Sequence, residues 1–153
     1  APVVLRPGGV TVEMLRAVCG ACTLAQGVFE PVFARAASPG MLHAHYAPKG
    51  KATLIPQRAD MAAVLCAQYD AAKREGFFPV ILCGGEVSGA LGERAQIRCD
   101  ERGPMAHGLF DALRRADSLG YDRLFIQGVE MQGLGMAYMN RALRAAGFDV
   151  WEG

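Results

Sequence analysis

The run Pro79-Val80-Ile81-Leu82-Cys83, closed by Gly84-Gly85, constrains this chain more than any other feature. A strand with one solvated face alternates apolar and polar residues, whereas this run has no polar position, so both of its faces must be covered. The flanking segments supply the cover. Ala52 to Ile55 reads as a second strand. Asp60 is expected to cap a helix that carries Met61, Val64, Leu65, Tyr69 and Ala72 on one face and stops at Gly76. Ala95 to Cys99 is a weaker strand suited to a sheet edge. A long helix is expected from Pro104 to Leu119, with Leu109, Ala112, Leu113 and Ala116 inward and Arg114, Arg115 and Asp117 outward. Arg123 to Gln127 is another apolar strand, Leu134 to Ala146 another helix stopped by Gly147, and Phe148 to Trp151 a last strand. Strands alternating with helices imply an α/β fold of three layers, a mostly parallel sheet with helices on both faces.

The composition agrees with a folded core: 52% of the 153 residues are apolar and 20% charged. A formal net charge of +1 gives no electrostatic reason to propose a nucleic-acid surface, and direct tRNA contact is not expected. No apolar run approaches the roughly 18 residues that span a bilayer, and no basic-then-apolar leader stands at the front, so no membrane partner and a cytoplasmic location are expected. Five cysteines, at positions 19, 22, 66, 83 and 99, are an odd count. Cys66, Cys83 and Cys99 lie in apolar stretches as small buried hydrophobes. Cys19 and Cys22 form a C-x-x-C, but no second ligand pair at matched spacing exists and the motif falls at a helix end, so neither a metal nor a redox role is assigned.

The front of the chain is short of partners. Val3 to Leu5 is β-prone, Pro7-Gly8-Gly9 turns, and Thr11 is a fitting N-cap, with Glu13 in the first turn, for a helix through about Cys19. One strand and one two-turn helix cannot bury a core, so residues 1–19 read as the tail of a further domain. Residues 20–51 read as a long connection between domains, and residues 52–153 as the α/β domain. Within the connection, Ser38-Pro39-Gly40-Met41-Leu42-His43-Ala44-His45-Tyr46-Ala47-Pro48 stands out. The prolines fix φ and bias the residues before them toward extended backbone, making this a semi-rigid strap that carries His45 and Tyr46.

Parallel α/β sheets bind ligands at the carboxyl ends of their strands. The candidates there are Gly84-Gly85 and Gly133-Leu134-Gly135. Glycines ahead of a helix can present free N–H groups to an anion, but they also turn the chain and let helix pack on strand, and neither stretch is a dinucleotide or phosphate-loop fingerprint. His43, His45 and His107 are the histidines, and no catalytic triad or zinc motif accompanies them.

Val4-Leu5-Arg6-Pro7-Gly8-Gly9-Val10-Thr11, followed by the strap at 38–48, resembles the interdomain junction of the long, two-domain form of threonylcarbamoyl-AMP synthase. Gly108-Leu109-Phe110-Asp111-Ala112-Leu113-Arg114 and Gly133 to Arg141 are similar to that family's C-terminal Rossmann-like domain. The resemblance implies a YrdC-like catalytic domain upstream that joins L-threonine, bicarbonate and ATP, as its Mg2+ complex, into threonylcarbamoyl-AMP and pyrophosphate. The product feeds threonylcarbamoyl-adenosine modification of tRNA by downstream proteins. In the family pattern the Leu-Arg-Pro-Gly arginine and the His-Tyr tyrosine contact the nucleotide, which carries over to Arg6 and Tyr46, with His45 beside them and Ser38, Gly40 and Pro48 shaping the lid. The catalytic motifs are absent from these residues, so the fragment is expected to be inactive alone. The alternatives are a stand-alone nucleotide- or small-molecule-binding module and a protein-interaction module.

Overall fold

The computed structural model describes residues 1–30 and 47–153. The order of elements is β1 (Val3–Val4), α1 (Val12–Cys19), β2 (Thr23–Leu24), β3 (Lys51–Ile55), α2 (Met61–Arg74), β4 (Pro79–Cys83), α3 (Gly85–Ser88), β5 (Gln96–Arg98), α4 (Met105–Ser118), β6 (Arg123–Gln127) and α5 (Leu134–Ala145). Four strands form one parallel sheet in the order β3-β6-β4-β5. The all-apolar run is β4, an interior strand, and all five of its residues are buried. Its register pairs Pro79 with Arg123 and Leu82 with Ile126 on one side, and Ile81 with Gln96 and Cys83 with Arg98 on the other.

Alternation along the strands divides the core into two halves. Ala52, Leu54, Val80, Leu82, Leu124 and Ile126 face α4 and α5. Ile55, Ile81, Cys83 and Phe125 face α2, through the five residues Met61, Val64, Leu65, Tyr69 and Ala72. These are the three expected layers, and the expected inward set of α4 is buried as a stripe at helical spacing. β5 is the short edge strand.

Three local expectations need correction. Asp60 holds the N-cap position of α2 but makes no capping bond, because its carboxylate pairs with the Arg58 guanidinium two residues earlier. Phe148 to Trp151 is not a full strand. Leu54 N–H donates to Asp149 O and Trp151 N–H to Leu54 O, both at 2.9 Å, and the contact ends there as a single bridge to Val150. The connection from residue 20 onward is ordered at its start: β2 pairs with β1 in parallel, Val3 beside Thr23 and Val4 beside Leu24. Residues 1–24 thus form a miniature β-α-β unit.

That unit folds locally for the expected reasons. Thr11 Oγ1 accepts the Met14 N–H at 3.2 Å, and Gly20, at φ +76°, ends α1 while donating to Arg16 O at 2.9 Å. Cys22 is buried and its thiol points at Val12 O, whereas Cys19 is exposed, so of the C-x-x-C only Cys22 packs inward. α1 buries only Val12 and leaves Met14 and Val18 exposed, with Val10 exposed just before the helix, Val3 exposed on β1 and Leu5 exposed just after it.

Gly108 shows how tightly the layers meet. A Cβ there would lie 1.9 Å from Cys99 O, a backbone atom that cannot yield, whereas a Cβ at Gly89, with φ −64°, would meet nothing within 4 Å. Gly108→Ala is therefore expected to cost at least about 2 kcal/mol in urea unfolding, and Gly89→Ala to be neutral or stabilising by up to about 1 kcal/mol.

Candidate functional site

The parallel sheet sorts the expected site residues to its two ends. Gly84, Gly85, Gly133 and Gly135 follow β4 and β6 and lie at the carboxyl ends of the strands. Pro48 leads into β3 and lies at the amino ends, roughly 15 Å away by the rise of a five-residue strand. The structure therefore does not bring Pro48 and the glycine turns together. Arg6 follows β1 on the N-terminal unit and is exposed. Ser38, Gly40, His45 and Tyr46 lie outside the described residues.

The exit of the strap is pinned. Lys49 N–H donates to Asp117 Oδ1 at 2.8 Å at the end of α4. Gly50 runs so close to the turn before β6 that a Cβ would sit 2.7 Å from Tyr121 O, which explains why the residue after Lys49 has no side chain.

At the carboxyl ends, the glycine N–H groups already have acceptors. Gly84 N–H donates to Gln127 Oε1 at 2.9 Å, and the Gln127 amide passes on to Glu86 Oε1 at 3.0 Å. Gln127 is fully buried, so its amide plugs the crevice between β6 and β4. Gly85 N–H donates to Asp100 Oδ2 at 2.8 Å, while Asp100 Oδ1 accepts from Arg98 Nε at 2.7 Å. Gly133 N–H donates to Glu13 Oε1 at 3.3 Å, and Gly135 N–H to Gln132 O at 3.0 Å. Anions do sit at these glycine turns, as the chain's own carboxylates Asp100 and Glu13. At Gly135 the missing side chain also has a packing reason, since a Cβ would lie 2.2 Å from Glu130 O, a backbone atom, whereas at Gly85 the nearest atom is the movable tip of Arg98, with Nη2 at 2.6 Å.

The charges follow. The Glu13 carboxyl is held below its usual range by its own N–H, then by the Gly133 N–H and the Thr11 hydroxyl. Arg98 holds the Asp100 carboxyl low, with the Gly85 N–H adding to it and burial opposing. Burial pushes the Cys83 thiol up to about 11 and the Cys99 thiol up to about 12, so at neutral pH both are unreactive thiols. Cys66 is only half-buried, a correction to its expected place in the core. No cluster of three or more metal-ligating side chains occurs among the described residues, and no helix among them is long and apolar enough to cross a membrane.

Two open clefts flank the plugged crevice. One, of about 550 Å³, lies between the loop after β5 and α4, with Arg98, Arg102, Arg115 and His107 offset by Glu101 and Asp111. The other, of about 370 Å³, lies at the start of α2, between Arg58 and Glu86. His107 stands in the first turn of α4 on the wall of the larger cleft.

Sequence reasoning missed Gln127 because it ends an apolar strand, where polarity reads as surface. It also missed Asn140 and Arg144 on α5. Both are buried, and Arg144 donates to Gly27 O at 3.1 Å while Asn140 donates to Val28 O. A polar pair spaced four apart on a helix ordinarily marks a solvated face.

Asp100 has a folded pKa below its unfolded one, so its stabilisation is complete above the unfolded value and is lost as pH falls through the folded value. In denaturant titrations, Asp100→Asn is expected to be about 1 kcal/mol less stable than the parent at pH 7, with the gap unchanged to about pH 5 and closing below about pH 4.

Residues 10–147, from the turn before α1 to the end of α5, match the family described as "Threonylcarbamoyl-AMP synthase, C-terminal domain". The chain is 31% identical over 157 residues to the threonylcarbamoyl-AMP synthase of Pyrococcus abyssi, and 32% identical over 154 residues to that of Bacillus subtilis. Each alignment takes in 97% of this chain and 43% of the relative, so the chain spans less than half the length of the curated relatives it matches. Among solved structures, P. abyssi Sua5 complexed with L-threonine superposes with a TM-score of 0.83 at 30% identity, covering 97% of this chain and 43% of that one. A variant of the same protein, with a histidine and the tyrosine after it both changed to alanine, gives 0.83 at 28% identity, covering 97% and 42%. The fold, with its β-α-β unit and parallel sheet, and the match across nearly all of it make this chain a member of the threonylcarbamoyl-AMP synthase C-terminal domain family.

Proposed function

We propose that this chain is the C-terminal, lid-bearing part of an L-threonylcarbamoyladenylate synthase, whose catalytic chemistry takes place on a domain upstream. The family match over residues 10–147 carries this reading. The exposed apolar residues Val3, Leu5, Val10, Met14 and Val18 support it as groups for such a domain to cover. In the reaction, the amine of threonine takes up bicarbonate with loss of water to give a carbamate. A carbamate oxygen then attacks the α-phosphorus of ATP, and pyrophosphate leaves.

Both the carbamate and the mixed anhydride hydrolyse readily, so water must be kept from them. Arg6 supplies a guanidinium suited to phosphate oxygens. Tyr46, with His45 beside it on the proline-restrained strap from Ser38 to Pro48, covers the nucleotide. His45-Tyr46 is the one His-Tyr pair in this sequence, and a His-Tyr pair is what is altered in the P. abyssi variant. Magnesium-bound ATP and threonine are held upstream, and the product passes to the downstream tRNA-modification proteins. The N–H groups of Gly84, Gly85 and Gly133 all donate within the chain, which lends the reading as a stand-alone nucleotide-binding module no support.

In the complete enzyme, Tyr46→Ala is expected to lower pyrophosphate release from threonine, bicarbonate and ATP by at least about tenfold, with the thermal unfolding midpoint unchanged. The 153-residue chain alone is expected to release none. Parental turnover in the Tyr46→Ala enzyme would sink the assignment of the strap, and turnover by the isolated chain would sink the division of labour.

A further inference from the structure

Helix α5 carries two polar side chains on its buried face. Asn140 and Arg144, one turn apart, are only 3% and 7% exposed. Burying an amide and a guanidinium costs free energy unless their N–H groups find acceptors. The acceptors are backbone carbonyls far away in sequence: Asn140 Nδ2 donates to Val28 O, and Arg144 Nη2 to Gly27 O at 3.1 Å. Val28 is itself buried, and Phe29 packs against the core on this side of the sheet. At the other end of the same helix, Gly133 N–H holds the Glu13 carboxylate of α1. The N-terminal unit is thus fastened along the length of α5.

The fastening reaches Arg6 through two strands. Residues 27–28 follow β2 closely, and Val28 N–H donates back to Ala25 O at 3.4 Å. Ala25 N–H donates to Val4 O at 2.9 Å and Thr23 N–H to Pro2 O at 3.0 Å, so β2 sets the place of β1. Arg6 stands just after β1.

We propose that Asn140 and Arg144 are positioning residues that set, through β2 and β1, where Arg6 stands, so that the α/β domain contributes to nucleotide binding without touching the nucleotide. This rests on the role of Arg6 in the reading above. It gives the C-terminal domain a purpose beyond carrying the strap: it is the frame against which a nucleotide-contacting residue is registered.

The test is a double-mutant cycle in the complete enzyme, reading KM for ATP and kcat for pyrophosphate release. Asn140→Leu and Arg144→Met each remove the donors, and each is expected to raise KM for ATP about tenfold with a smaller change in kcat. Arg144→Lys, which keeps a donor, should recover most of the loss. In an Arg6→Ala background the same α5 substitutions should raise KM no further, because the group they position is gone. Should these changes fail to fold, Asn140→Ala and Arg144→Ala, which also remove the donors, take their places. Unchanged KM in the α5 variants, or equal losses with and without Arg6, would overturn the positioning role. A parent enzyme without threonine-dependent pyrophosphate release, or an Arg6→Ala enzyme with parental KM, would instead remove the reading on which it rests.

Discussion

The burial of β4 on all sides governs the rest of the structure. All five of its residues are buried, so no water reaches its backbone, and every N–H and C=O must be paired within the protein. That demand requires a strand on each side, supplied by β6 and β5, and cover on each face, supplied by α2 on one and by α4 and α5 on the other. The strand order β3-β6-β4-β5 follows, with β6 returning late in the chain to fill the gap between β3 and β4. β6 and β4 then send their following connections to opposite faces, and the crevice this opens at their carboxyl ends is where such sheets bind ligands. Here Gln127 fills it from within. Tyr138 helps to fix the end of β6 by donating its hydroxyl to Gln127 O at 2.6 Å.

The glycines around that crevice illustrate how one residue type serves opposite purposes. A glycine that cradles a phosphate leaves its N–H pointing into open space. At Gly84, Gly85 and Gly133 the N–H groups point at Gln127, Asp100 and Glu13 instead. The same lack of a Cβ lets Arg98 cross Gly85 and lets Met105 approach Gly84. Glycines needed for close packing within the domain carry no information about a ligand.

Much of the α/β domain could be read from periodicity, because its signals are local and strong. The stripe at 61, 64, 65, 69 and 72 and the unbroken run at 79–83 each admit one arrangement, and both match the structure. What could not be read depends on contacts across long stretches of chain. Two-residue strands such as β2 have no periodicity, and Thr23–Leu24 is a strand only because Val3–Val4 lies beside it. Asp60 shows the reverse failure: its local cap signal was sound, but a guanidinium two residues away competes better for a carboxylate than a helix N–H does. Of the candidate site, the strap that carries His45 and Tyr46 stood out by its prolines, but the nucleotide-contacting roles of Arg6 and Tyr46 came from family resemblance.

The polar fastening of α5 answers a problem that apolar packing alone leaves open. The N-terminal unit has two strands of two residues and a helix that buries one side chain, too little to define its own position firmly. Apolar contacts such as those of Val28 and Phe29 favour closeness without prescribing a register, since sliding by a few tenths of an ångström changes little of the area removed from water. Hydrogen bonds from buried donors do prescribe one, because a displaced carbonyl leaves an amide or guanidinium unsatisfied at about 1–3 kcal/mol. Asn140 and Arg144 in the second half of α5 give two such buried bonds, and Gly133 with Glu13 adds a third, exposed one at the start of the helix. Three points are enough to define a rigid body's placement. A domain that meets no substrate can in this way decide how accurately another one does.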